Sequence, residues 1–247
     1  MISTIFNEVF YNPIYNGLVF LIANFSWIDM GIAVIFITII IKLIIFPLTK
    51  KSIKIQIKTK KLEPELKKIK EEYKDNKEEQ ARKIMDLYRE NNLNPLSGFL
   101  VLLIQLPIIF ALYFVFLKGG FPEINTDILY SFVKIPEVIN MNFLGLISMV
   151  EKNIYLALLA GISQYIQVQL MLPKLEPRNN KQQKTFKDDL MRSMNTQMKF
   201  VMPIIVFFIS YGLPAAVALY WITSNTFMIL QEIFVKRKME SKPELIK

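Results

Sequence analysis

The sequence contains no cysteine and no histidine. Without these residues the chain cannot hold a disulfide framework or a Cys/His metal site, and it cannot build a Ser-His or Cys-His nucleophile. Its eight glycines form neither a G-x-x-x-x-G-K-[ST] nor a G-x-G-x-x-G pattern, so we predict no phosphate-binding loop and no ATPase motor. The middle of every apolar run lacks Asp and Glu, which argues against an intramembrane aspartyl protease. The sequence therefore predicts a protein that is not an enzyme and that needs no cofactor or metal.

Apolar and charged residues are both abundant, and they are segregated along the chain. Of 247 residues, 53% are hydrophobic and 21% are charged. A bilayer requires about 20 apolar helical residues per span. On this basis we predict an all-α polytopic membrane protein with a five-helix core, at residues 28–48, 96–117, 154–172, 199–213 and 214–235. The fourth span is short and meets the fifth at Gly212-Leu213-Pro214, which predicts a tight hairpin.

The first 26 residues are predicted to form an interfacial region rather than a sixth span. Residues 14–25 are apolar but short, and they include Asn16 and Asn24. They lack the basic flank and small-residue cleavage site of a signal peptide. We therefore predict an amphipathic helix on the membrane surface. Aromatic residues near this face are predicted to belong to the interfacial belt, namely Trp27, Tyr11, Tyr15 and Tyr130.

The distribution of basic residues predicts the orientation in the membrane. Lys and Arg number 14 in residues 50–92, 7 in 173–199 and 5 in 236–247, which accounts for 26 of the 30. Basic loops mark the cytoplasmic side. With five spans, the N-terminus lies outside and the C-terminus in the cytoplasm, and every loop agrees with this alternation. The segment at 173–197 is then a cytoplasmic loop, and 236–247 is a basic cytoplasmic tail.

The large cytoplasmic loop at 50–92 carries helical periodicity. Apolar residues repeat at spacings of three and four, namely Leu62, Leu66, Ile69 and Tyr73, then Ala81, Ile84 (or Met85) and Tyr88. A turn signal, Lys74-Asp75-Asn76, separates the two sets. The pattern predicts an antiparallel helical hairpin in the cytoplasm. The alternative is a solvated charged linker, which would not keep an apolar seam.

Lys42 is the only charge in the apolar run from Met30 to Leu48. A lysine at the centre of a membrane helix costs roughly 2.5–3.5 kcal/mol, so it requires an explanation. One explanation is snorkelling to the membrane surface, but Lys42 precedes Lys50 by eight residues, about 12 Å of helix. The other is that Lys42 faces a water-filled cavity inside a helical bundle.

Further polar side chains lie within the other predicted spans. Thr38 stands one turn before Lys42, and Gln105 precedes Pro107 in the second span. The third and fifth spans contribute further candidates, namely Ser163, Gln164, Gln167, Gln169, Tyr220, Trp221, Ser224 and Asn225. These residues either converge on a hydrophilic pocket around Lys42 or form separate interhelical hydrogen bonds worth about 0.6 kcal/mol each. The combination of the set with a buried charge favours the pocket.

Several segments together resemble the YidC family of membrane protein insertases, in the YidC/Oxa/Alb superfamily. They are Ile41-Lys42-Leu43-Ile44-Ile45-Phe46-Pro47-Leu48-Thr49-Lys50, Asn94-Pro95-Leu96, Gln105-Leu106-Pro107, Ala111-Leu112-Tyr113 and Ala218-Leu219-Tyr220-Trp221-Ile222-Thr223-Ser224-Asn225. The predicted cytoplasmic hairpin also matches. The resemblance extends from about residue 12 to 236, and the order of its motifs is highly specific.

The resemblance implies a bacterial inner-membrane insertase with a hydrophilic groove that is open to the cytoplasm and to lipid and closed on the outer side. Lys42 stands where the family usually has arginine, and a lysine binds carboxylates as a point charge rather than as a fork. Thr38 and Gln105 match groove positions, and Trp221 matches an aromatic position that contacts substrate. The implied partners are nascent membrane proteins and the lipid bilayer, with the Sec translocon and the ribosome as further candidates. The family likeness suggests a functional monomer, and the chain shows no sign of nucleic-acid readout.

Two other functional classes remain open from the residues alone. A secondary transporter or channel could use Lys42 as an intramembrane ligand, although the chain shows no inverted repeat. A structural scaffold without a translocation path would leave Lys42 dispensable.

Overall fold

The computed structural model describes residues 2–93, 97–118, 121–172 and 196–241. At the N-terminus, helix α1 (Ile2–Phe6) runs through a π-helical turn (Asn7–Tyr11) into α2 (Asn12–Asn24). The next helices are α3 (Met30–Lys61), α4 (Glu63–Glu72), α5 (Lys77–Glu90), α6 (Ser97–Lys118) and α7 (Ile154–Met171). A second π-helical turn (Gln197–Val201) leads into α8 (Met202–Gly212), and α9 (Ala215–Glu240) follows.

A small strand hairpin lies in the segment between α6 and α7. Strands β1 (Asn142–Phe143) and β2 (Ile147–Ser148) pair antiparallel, and a short 3-10 turn (Thr126–Ile128) precedes them. The predicted class, a mainly helical membrane protein, is confirmed, but the prediction did not include this strand hairpin. Strands of two residues are too short to show the alternation by which strands are recognised in a sequence.

Helix length and surface character agree with a membrane protein. Among the described residues, α3 and α7 are long and apolar enough to cross a bilayer, and the segments Ile104–Leu117 and Gln197–Gly212 are shorter apolar helices. Large apolar side chains on α3, α7 and α8 are more than half exposed, for example Ile44, Tyr155 and Phe208. Extended apolar surfaces of this kind are rare on soluble monomers, and a lipid environment explains them.

Helix α3 is longer than the apolar run predicted as the first span. The first span was predicted to end at Leu48, two residues before Lys50, yet the helix continues to Lys61. Lysine is a good helix former, so a rise in charge does not end a helix. The apolar limit of a span and the end of its helix are therefore different boundaries in this chain.

Helices α4 and α5 pack against each other around the turn that the sequence indicated. Asn76 caps α5 by accepting a hydrogen bond from the Glu79 amide at 3.1 Å. The buried positions of α5 are Gln80, Ile84 and Leu87, whereas Ala81 and Met85 are exposed. The predicted seam was thus wrong at Ala81. Gln80 takes that place because its side-chain amide donates to the Lys70 carbonyl at 2.9 Å and so satisfies its polar group.

The chain divides into two compact units, Met1–Ile44 with Gln105–Ile229, and Ile45–Ile104 with Leu230–Lys247. In the first unit, a Cβ added to Gly161 of α7 would lie 3.2 Å from Phe207 Cβ and from the Pro203 carbonyl oxygen of α8. Glycine therefore allows these two helices to approach closely, as small residues do in membrane helix pairs.

The second unit is held by a polar pair and an apolar cluster between α3 and α9. Gln231 Nε2 donates to the Thr49 hydroxyl at 2.6 Å, and both residues are buried. Ile53, one turn farther along α3, packs with Val235 and Met239, which lie one and two turns farther along α9. The hydrogen-bonded pair satisfies two polar groups that would otherwise be costly to bury.

The segment between α6 and α7 is tied to α2 and to the start of α3 by buried polar side chains. Asn16 Nδ2 donates to the Ile128 carbonyl at 2.8 Å, and its Oδ1 accepts from the Tyr130 amide at 2.7 Å. The Tyr15 hydroxyl accepts from the Asn125 amide at 2.8 Å. Tyr15 is fully buried, so the prediction that it is a belt residue was wrong. The hydroxyl of a tyrosine allows it to serve as an internal acceptor as well as a belt residue.

Three predicted features lie wholly or partly outside the described residues. They are the Asn94-Pro95-Leu96 motif, the loop at 173–197 as far as residue 195, and residues 242–247 of the basic tail.

Candidate functional site

Lys42 lies inside the first unit, where its side chain is only 3% exposed. Its Nζ donates a hydrogen bond to Gln105 Oε1 of α6 at 2.9 Å. The ammonium therefore points toward a neighbouring helix, which is the opposite of a snorkelling side chain. Within the described ranges, Lys42 forms no ion pair. A neutral amide oxygen thus supports this cation.

Gln105 is held at both ends of its amide. Its Oε1 faces Lys42, while its Nε2 donates to the Tyr220 hydroxyl at 2.5 Å and lies 3.4 Å from Ser224 Oγ, both on α9. Tyr220 and Ser224 are buried. Because the Lys42 ammonium can only donate, it takes the oxygen end of the amide and leaves the N–H end to the hydroxyls of α9. Four predicted site residues from three helices therefore form one network.

This network predicts that Tyr220 positions Gln105. Replacing Tyr220 by Phe removes the acceptor but keeps the ring, and a neutral hydrogen bond is worth about 0.5–1.5 kcal/mol. For the insertion activity that the sequence resemblance implies, we expect the reconstituted Y220F variant to show a roughly 2- to 10-fold fall. The matched control is Tyr113→Phe, which removes a hydroxyl from α6, and we expect it to be neutral.

A double-variant comparison separates positioning from packing. Leucine at position 105 can neither donate to Tyr220 nor accept from it, so Y220F should cost little further activity in a Q105L background. An equal loss in both backgrounds would show that Tyr220 acts through packing alone.

A second polar group connects α7 with α9. Asn225 Nδ2 donates to Ser163 Oγ at 3.0 Å, and Ser163 donates to the Ala160 carbonyl at 2.8 Å. Gln164 Nε2 donates to Gln167 Oε1 at 3.1 Å, and Gln167 donates to the Met171 sulfur. The bond between Asn225 and Ser163 is of the interhelical kind that was the alternative to a single pocket, whereas those of Gln164 and Gln167 lie within α7. Asn225 follows Ser224 directly, so α9 contributes to both groups.

Two predicted site residues make other contacts. The Thr38 hydroxyl donates to the Val34 carbonyl of its own helix at 2.6 Å, so it is satisfied locally. Trp221 lies in an apolar cluster with Ala160, Val206 and Val217. The one-residue step from Tyr220 to Trp221 turns the side chain by about 100° around the helix, which places the two rings on different faces.

Asp29 is a buried residue that the sequence analysis did not select. Its Oδ1 accepts from the Ile32 amide at 2.8 Å, and its Oδ2 accepts from the Leu144 amide at 2.8 Å. The signal was available, because an aspartate directly before an apolar helix is a typical N-cap. The second bond, to a segment 115 residues away, has no local signal.

A family match and three similar proteins all identify the same kind of membrane protein. Residues 21–242 match the model of the family described as 60Kd inner membrane protein. A protein of Clostridium tetani named Membrane protein insertase YidC is 35% identical over 219 residues, which covers 89% of this chain and 85% of the relative. Proteins of the same name from Fusobacterium nucleatum and Oceanobacillus iheyensis are 34% and 28% identical, covering 85% and 96% of this chain and 87% and 86% of those relatives.

The matched family and these relatives agree with the resemblance noted in the sequence motifs. The family description also places the protein in the bacterial inner membrane, in keeping with its apolar helices. This chain belongs to the 60Kd inner membrane protein family, and the relatives that it resembles carry the name Membrane protein insertase YidC.

Proposed function

We propose that this chain inserts newly made membrane proteins into the bilayer through a hydrophilic groove around Lys42, without ATP hydrolysis. The observation that carries the proposal is a buried ammonium held by a neutral amide, in a chain whose relatives are named as membrane protein insertases. Insertion is the function in those names, and the groove is our account of how this chain performs it. The chemistry is binding and release, and no covalent step is required.

The Lys42 network suits the capture of an acidic substrate tail. An ammonium has three donors, and Gln105 accepts one of them. A carboxylate that approaches Lys42 gains a charge-assisted hydrogen bond, which is about twice as strong as a neutral one. Further amides and a hydroxyl lie along α7 and α9, on Gln164, Gln167, Ser163 and Asn225. Polar groups of an incoming segment would therefore lose less hydration energy than they would in lipid.

Release into lipid would use the hydrophobic span of the substrate. The outer surface of α7 carries exposed apolar side chains, including Leu158, Ile162 and Ile166. A segment of about 20 apolar residues is stable in a bilayer. We propose that the substrate span leaves along α7 and α9. Its transfer into lipid supplies the free energy of insertion, so ATP is not needed.

The same proposal includes an orientation, a topology and partners. Five spans would place the N-terminus outside and the C-terminus in the cytoplasm, with α2 on the outer membrane surface. The pair α4 and α5 would then receive chains in the cytoplasm, and the basic tail would contact the membrane surface or a ribosome. We propose a functional monomer that also cooperates with the Sec translocon.

Reconstitution tests the proposal directly. The substrate has a single span and an acidic outer tail. In liposomes that contain the purified protein, this tail should cross the bilayer and become inaccessible to added protease, without nucleotide. Equal protection in empty liposomes would exclude insertase activity. Ion or solute flux across the membrane of liposomes that contain the protein, without substrate insertion, would instead support the transporter or channel alternative.

A further inference from the structure

The hairpin formed by β1 and β2 has an unusual apolar tip. Leu144 and Gly145 have φ angles of 52° and 72°. Consecutive positive φ angles occur in primed β-turns, where Asn and Gly are preferred and Leu is strained. The Gly145 amide donates to the Asn142 carbonyl at 3.1 Å, and the Leu146 amide donates to the Phe143 carbonyl at 3.0 Å. The turn is therefore a defined structure in spite of its unfavourable first residue.

The two leucines of this tip face outward from the protein. Leu144 is 64% exposed and Leu146 is 85% exposed. No Asp, Glu, Lys or Arg occurs from Asn142 to Ser148. Exposure of two large apolar side chains to water is unfavourable and cannot offset the strain of the turn. An apolar contact outside the chain would make both the exposure and the strain understandable.

The tip is fixed to the first turn of α3. Asp29, which is buried, accepts a hydrogen bond from the Leu144 amide, and the Met30 amide donates to the Asn140 carbonyl at 2.8 Å. The Phe143 ring lies against Gly31, where an added Cβ would collide with it. The position of the tip is thus set by the end of a helix that is long and apolar enough to cross the bilayer.

The aromatic residues at this end of α3 mark the level of the membrane surface. Trp27 is 64% exposed, and its ring lies 6.4 Å from that of Phe25 and 6.3 Å from that of Phe36. Exposed tryptophan at the end of an apolar helix is typical of the lipid interface. The structure assigns the hairpin tip a lipid contact: Leu144 and Leu146 enter the leaflet at the end of the molecule that carries Met30. This assignment depends on the membrane location of the chain and not on the proposed groove.

The absence of cysteine allows a direct measurement of depth. The full chain carrying Asn142→Cys, labelled with an environment-sensitive fluorophore, is reconstituted in phosphatidylcholine vesicles that contain lipids brominated at shallow acyl positions. Labels at Ile44→Cys and Asp75→Cys serve as lipid and water references. We expect quenching at position 142 to lie close to that of the lipid reference. Quenching equal to that of the Asp75 label would overturn the assignment.

A second comparison tests the leucines themselves rather than the fluorophore. Replacing Leu144 and Leu146 by Ser should lower bromolipid quenching of the label at position 142 at least twofold, while circular dichroism and insertion activity show whether the fold persists. Unchanged quenching in a folded variant would contradict insertion of the leucines. A label that is exposed in lipid vesicles and shielded only in native membranes would identify a protein partner instead, and would overturn the lipid assignment.

Discussion

Reversing the charge at Lys42 should strongly reduce insertion of substrates with acidic tails. The K42E variant places a carboxylate where Gln105 now supports an ammonium, so an acidic tail meets repulsion in a buried, low-dielectric site. Loss of one charge-assisted hydrogen bond alone is worth about 1.5–3 kcal/mol. We therefore expect a fall of roughly 10- to 100-fold in protease-protected product, measured in liposomes.

The effect should depend on substrate charge and on the position of the lysine. K42R should retain activity because the cation remains, whereas K42A should give an intermediate loss. Lys51→Glu is the matched control, since Lys51 lies on the same helix and is exposed. A substrate with a neutral tail should be less affected by K42E. Full activity of K42E with acidic tails would rule out electrostatic capture and favour a scaffold role.

Removing the Asp29 carboxylate should strongly destabilise the first unit. Its two oxygens accept hydrogen bonds from Ile32 and Leu144, and the residue is buried. Asp29→Ala leaves both amides without their acceptors, in a place that water reaches poorly. Hydrogen bonds to charged groups are worth about 1.5–3 kcal/mol each, and losses are rarely additive. We expect the free energy of unfolding to fall by about 2–4 kcal/mol, measured by denaturant titration in mixed micelles.

Two variants give this measurement its scale. Asp29→Asn keeps one acceptor oxygen and should lose about half as much stability. Asp127→Ala removes an exposed carboxylate from the segment between α6 and α7, which also contains Leu144, and should change stability by no more than about 0.5 kcal/mol. If D29A unfolds at the same denaturant concentration as the parent chain, the contact with Leu144 does not stabilise the fold.

The apolar runs of the sequence located the helices well but not their ends. All five predicted spans overlap helices, because runs of about 20 apolar residues have few other stable forms in lipid. The end of α3 was missed because helix propensity continues past Leu48 into a lysine-rich stretch. The two-residue strands were missed because they are too short to show alternation, and the bond from their turn to Asp29 joins residues that are 115 positions apart.

The candidate site was predicted as a set of residues rather than as an arrangement. One network contains Lys42, Gln105, Tyr220 and Ser224. Three other predicted residues make separate contacts, namely Gln164, Gln167 and Asn225. Trp221 packs in an apolar cluster, although the family resemblance assigns its position to substrate contact. Sequence spacing shows which residues share a helix face, but not which face meets a given neighbour.

The amino-acid sequence alone established the class and the costly charge, because segregation of apolar from basic residues and an intramembrane lysine leave few alternatives. The family follows from the order of the motifs and from the match over residues 21–242. What that lysine contacts depends on how the helices pack. Helix packing brought together Lys42 and Gln105, which are 63 residues apart, and the donor and acceptor ends of one amide set their order. It also decided the position of the Leu144 turn, because the Asp29 carboxylate that holds it is 115 residues away. Such contacts depend on three-dimensional geometry, which local sequence patterns do not contain.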